Sequence, residues 1–172
     1  MTTDIPAPSP APQLRVPGLC MPAYRYIPGK HPHPTKHPQG HNNPLCDPPL
    51  PKDWASTPNH KSWLRGLDLF DHRYYWECHE QLEEVWKIQP QESPSKALVQ
   101  GIILAAAFLL KHHMGHYPAV TTLQAHALTR LTHSKRRMGD AVWGIHLPSL
   151  MEALKRSPNE VHWPMITGPD GS

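Results

Sequence analysis

Proline fixes φ at about −65° and removes a backbone donor, so a segment in which it recurs can form neither a long helix nor an inner strand. Fifteen of the chain's 22 prolines fall within its first sixty residues. The packed part is therefore expected at 53–158, an ordinary span for a small domain. Ahead of it, residues 1–20 are rich in Pro, Ala and Ser, with little to bury, and are expected to be disordered. Residues 21–52 form an extended arm of polyproline-like chain and turns that can wrap a helical body. It carries aromatics and four histidines, His31, His33, His37 and His41. Residues 159–172 are expected as a tail.

Within 53–158 the apolar residues recur at helical spacing and no alternating strand pattern appears. A first helix is predicted over Ser62 to Phe70, with Trp63, Leu64, Leu67 and Phe70 on one side. Asp71 offers an N-cap for a second helix running to about Ile88 and stopped by Pro90. Ser93-Pro94 has the chemistry that opens a third, which ends near Gly115. That helix is apolar on nearly all sides, so it is expected at the centre of a bundle. Pro118 opens a fourth helix that Gly139 breaks, and Pro148 opens a fifth. The fold class is all-α: a bundle of about five helices with the Pro-rich arm laid on it.

The formal net charge is only +3, which gives no strong field for nucleic acid or a membrane surface. The late basic group Lys135-Arg136-Arg137 reads as a solvated helix end that suits the helix dipole. Three cysteines, an odd count with no CxxC pair, argue against a disulfide framework and a zinc knuckle. No signal-peptide pattern opens the sequence. The apolar run Ile102 to Leu110 is about half of what a bilayer needs. Together these predict a cytoplasmic protein.

The candidate site is on the second helix. At about 100° per residue, Tyr75, Cys78, Leu82, Val85 and Trp86 form its apolar stripe. His79 and Glu83, at i and i+4, stack along one edge of that stripe, with Trp76 and Glu80 just beyond. Glu77 and Glu84 are placed on the opposite, wetter side. An imidazole and carboxylates one turn apart form a partial metal site for Zn, Mn or Fe. The zinc-protease pattern HExxH is not met, because Glu83 stands where its second His would be. The same pair could serve as a metal-free acid–base couple, or as no more than a surface hydrogen bond.

The run from Gly66 to Trp86 resembles the signature of the domain of unknown function 309 family. The resemblance is carried by Phe70, Asp71, Tyr75, Trp76, Glu77, His79, Glu80, Glu83 and Trp86, with Cys78 in the place of the usual Ala. Gln100-Gly101-Ile102-Ile103 is similar to the family's next helix, and Gly115-His116 stands where the family has Gly-Asn. The resemblance spans about Trp63 to Leu131 and implies a compact helical bundle, with no activity to carry over. The arm also looks like an extension that a subset of these proteins carries.

The leading expectation joins arm to helix: His33, His41, His79 and Glu83 as ligands of a divalent metal, in a metal-dependent hydrolase. Glu80 or Glu77 would be the general base for a metal-bound water. Proline on both sides of His33 stiffens its backbone and lowers the ordering cost of a ligand. The alternative is a non-catalytic bundle that binds a small molecule or protein, the motif being a structural polar network. A homo-oligomer built through the aromatic faces is a third option. Gln100 either finds a backbone partner where Gly101 lets helices approach, or orients a ligand beside the second helix. His112 and His116, also i and i+4, either chelate a metal or form a polar helix end. Cys78 is expected as a small apolar core residue.

Overall fold

The computed structural model describes residues 3–18, 20–41, 60–156 and 163–166. The expected domain boundaries near Asp53 and Pro158, and Cys46, lie outside these residues.

Five helices follow in order, with a two-residue hairpin before the last. The first, α1 (Lys61–Asp71), starts where the His60 ring accepts the Ser62 N–H at 3.2 Å. Its end departs from expectation. Asp71 is not the cap of the next helix but the last residue of α1. Arg73 takes a left-handed φ of 64°, the Arg73 N–H reaches the Phe70 carbonyl and the Tyr74 N–H reaches that of Leu69. That pair of bonds is the Schellman arrangement, here built on arginine in place of glycine. The chain then enters α2 (Tyr75–Lys87) with no side-chain cap.

Helix α3 (Pro94–His113) opens as expected, the Ser93 hydroxyl accepting the Lys96 N–H at 3.0 Å with Pro94 in the first turn. It closes on Gly115, φ 72°, with the same double bond pattern to Lys111 and His112. Helix α4 (Tyr117–Met138) stops at Gly139, φ 97°. Strands β1 (Ala141–Val142) and β2 (Ile145–His146) then pair antiparallel. Trp143 and Gly144 between them both have positive φ, 50° and 80°, as a type I′ turn requires. Strands this short leave no alternation to detect, so the hairpin has no sequence signal beyond its glycine. Helix α5 (Leu147–Arg156) completes the bundle.

Helix α3 packs against α2 on one side and α4 on the other, and its Leu98, Val99, Ile102, Ala105, Ala106 and Phe108 are fully buried. It is long and apolar enough to cross a membrane by length and composition, yet most of its surface is buried in the fold. The α3–α4 seam is tight: a Cβ on Gly101 would stand 2.6 Å from Leu131 Cδ2 and 3.3 Å from its backbone nitrogen. Close helix approach is thus the role of Gly101.

Three segments outside the helices complete the core. Tyr26 and Ile27 of the arm are buried, as are Ile5 and Val16. Residues 3–18, expected as disordered, therefore belong to the packed body. The tie is electrostatic: the Arg15 guanidinium pairs with Asp68 at 3.2 Å and Asp71 at 2.8 Å, both carboxylates buried. Asp68 also accepts the N–H groups of Arg15 and Val16. Residues 163–166, expected as tail, dock too, Ile166 donating its N–H to Asp71 at 2.6 Å and Trp163 stacking on Tyr75. Arg65, fully buried, donates to the Cys20 carbonyl at 2.6 Å. Cys20 is itself disulfide-bonded, a correction to the expectation from the odd cysteine count. Cys78 is free and buried, and burial pushes its thiol well up.

Candidate functional site

Helix α2 divides the polar residues of its motif between two environments. Glu77 faces the arm. Its side chain is 6% exposed, and its Oε1 receives the Tyr26 N–H at 2.9 Å and meets His41 Nε2 at 2.7 Å. His41 is equally enclosed and lies edge-on to Tyr24, ring centroids 4.4 Å apart. The placement of Glu77 on a wet side is thereby corrected. The side opposite the helical core is the one the arm covers. The protein offers its second oxygen, Oε2, no hydrogen-bond partner among the described residues.

His79, Glu80 and Glu83 lie where α2 stays open to solvent. His79 Nδ1 stands 3.5 Å from Glu80 Oε1 and His79 Nε2 stands 3.5 Å from Glu83 Oε1. One ligand atom from each of the three lies within 4.8 Å of the others. The side chains are 33, 50 and 41% exposed, so an ion or substrate can reach them from solvent. Zinc at about 2.1 Å from each ligand needs ligand atoms roughly 3.4 Å apart. The three ligand atoms, within 4.8 Å of one another, come near that spacing without meeting it. The hydrogen bond and charge of His79 hold the Glu80 carboxyl below its ordinary range; partial burial opposes them, and the more distant charges of His33 and Lys87 assist. Glu80 is thus ready to act as an anion.

The arm meets α2 at two places, neither of which completes the His79 group. His41 goes to Glu77. His33 packs in a three-ring cluster with Tyr26 (5.3 Å) and Trp76 (5.4 Å), its Nδ1 accepting the Thr35 N–H. It acts on Glu80 through its charge and lies outside the set of converging ligand atoms. Gly40 is essential to this course, since a Cβ there would stand 2.1 Å from the Pro34 carbonyl oxygen. Gln100 is not at the His79 group either: it lines a separate cavity with Trp86 and Lys96. His112 packs against Phe108 and Tyr117, and His116 is the N-cap residue of α4.

Residues 63–123 match the family model described as domain of unknown function (DUF309). Over this segment the chain is similar to the domain of unknown function 309 family. The family segment runs from Trp63 of α1 into the first turns of α4, so Glu77, His79, Glu80, Glu83 and Gln100 lie inside it. The arm with His33 and His41 lies outside. No curated protein and no solved structure matches the chain.

Sequence reasoning missed the Arg15–Asp68–Asp71 cluster. Asp68 and Asp71, one turn apart and acidic on an otherwise apolar helix face, were the signal available. A lone arginine in a Pro-rich stretch gave none.

Proposed function

We propose that this protein binds one divalent metal ion, zinc, manganese or iron, at His79, Glu80 and Glu83, and uses it in hydrolysis. The convergence of an imidazole and two carboxylates on one exposed face of α2 supports this most directly. A site with three protein ligands keeps a coordination position open, the pattern of catalytic sites and not of closed structural ones. The ion would supply a lowered pKa for a bound water. Glu80, held ionised beside the imidazole, would complete the ligand set with His79 and Glu83. Isothermal titration of metal-free, untagged protein tests the reading. One ion per chain is expected, with His79→Ala and Glu83→Ala each weakening uptake by about tenfold or more. Absence of uptake of all three metals would remove it.

A non-catalytic bundle that uses the motif as a polar network is supported by one observation, the enclosed Glu77 with its Tyr26 and His41 contacts. The two functions part at His79. In a network, His79→Ala lowers the melting temperature; at an exposed metal site it leaves the metal-free protein as stable as before.

A further inference from the structure

A second site lies at the far end of α2, away from the His79 group. A cavity of about 610 Å³ is walled by Trp86, by the loop Gln91 to Ser93, by Lys96, Ala97 and Gln100 at the start of α3, and by Arg130, His133 and Arg137 of α4. Its volume falls within the roughly 300–1,000 Å³ of small-ligand sites. Its charge is one-sided: Lys96, Arg130 and Arg137, with His133 beside them, against the single carboxylate of Glu92. Arg130, His133 and Arg137 follow at i, i+3 and i+7, so helical geometry stacks them on one face.

Several donors of this cavity have no acceptor among the described residues. Some surface cations elsewhere are paired, Lys87 with Glu84, Lys135 with Asp140 and Arg156 with Glu152, while others, such as Lys36, Lys61 and Arg136, stand in solvent. No carboxylate among the described residues pairs with Arg130 or Arg137. The Trp86 indole N–H, an atom shielded from solvent, has no partner among the described residues. Lys96 Nζ stands over the Trp86 ring at 4.4 Å, with the Gln89 carbonyl 3.5 Å away as a distant acceptor. The Gln100 amide adds a further donor at the same wall. The positive end of the twenty-residue helix α3 opens into the same wall. Like charges collected on the rim of one concavity repel each other unless an anion joins them.

We infer that this cavity binds a small phosphate-bearing molecule. Arg130 and Arg137 offer the planar forks that phosphate oxygens accept bidentately, and Lys96 adds a point charge from the first turn of α3. The volume beyond a single phosphate gives room for a second phosphate or an organic group. This site is independent of the proposed metal site, and either can fail without the other.

The test is isothermal titration of the full chain, kept metal-free with chelator and at low salt, with inorganic phosphate and with pyrophosphate. Saturable binding of one pyrophosphate per chain is expected, tighter than phosphate and far tighter than sulfate. Arg130→Ala and Lys96→Ala should each weaken it by about tenfold or more, the loss expected for a hydrogen bond to a charged group. Arg156→Ala, an exposed cation on α5, should leave it unchanged. Both cavity variants remove partly or fully exposed side chains, and circular dichroism checks their folding. The inference is overturned if neither phosphate probe saturates, if Arg156→Ala weakens binding as much, if sulfate competes equally, or if a short RNA binds tightly where pyrophosphate does not.

Discussion

Asp71 shows what burial does to a single carboxyl group. Desolvation pushes it up to about 6, against the pull of the Arg15 guanidinium and the Ile166 N–H. Its folded pKa is thus above the unfolded value of 3.8, and between the two the folded state holds the proton more tightly. The stability this group contributes is full below about 4 and is lost as pH rises through about 6. The slope in that window reaches up to about 1.4 kcal/mol per pH unit. Asp71→Asn removes this titration, so the melting temperature of the native protein minus that of the variant should be larger at pH 4 than at pH 7. A difference constant across that range would refute the assignment. Glu77 gives the complementary case. Glu77→Ala deprives the Tyr26 N–H and His41 of their acceptor and should cost about 1–3 kcal/mol in urea unfolding, while metal uptake stays intact. Loss of uptake in that variant would place Glu77 at the metal after all. The His79–Glu83 pair was legible from i,i+4 spacing alone. The burial of Glu77 was not, because its partners Tyr26 and His41 lie 51 and 36 residues upstream, in chain with no periodicity to place them.

Helix starts and stops were legible wherever a side chain or a glycine carries the signal. Ser93-Pro94, Gly115 and Gly139 mark boundaries through chemistry that the sequence displays. The end of α1 was hidden because its left-handed residue is Arg73, which composition gives no reason to expect there. With that turn unseen, Asp71 passed for a cap. At the α3–α4 seam, Gly101 admits Leu131 against the helix backbone. Gly101→Ala puts a methyl inside that contact and should destabilise by about 1–3 kcal/mol, the usual range for overpacking. Chemical denaturation measures this; a neutral or stabilising result would mean that the two helices separate without cost.

At the scale of the whole fold, the described residues form a five-helix bundle whose outer layer is made from segments that composition marks as non-helical. Proline content correctly excludes helices there, but it is silent on docking, which depends on a few apolar anchors such as Ile5, Val16 and Ile27 and on buried carboxylates that fix Arg15. The layer enclosing Glu77 leaves His79, Glu80 and Glu83 in contact with solvent, and this division separates the structural half of the motif from the half proposed to hold a metal. Crystals of the full chain soaked with zinc and measured at the zinc absorption edge test that division most directly. An anomalous peak is expected within coordination distance of His79, Glu80 and Glu83, and none beside Glu77 and His41. A peak at Glu77 and His41, or no peak on α2 at all, would contradict it.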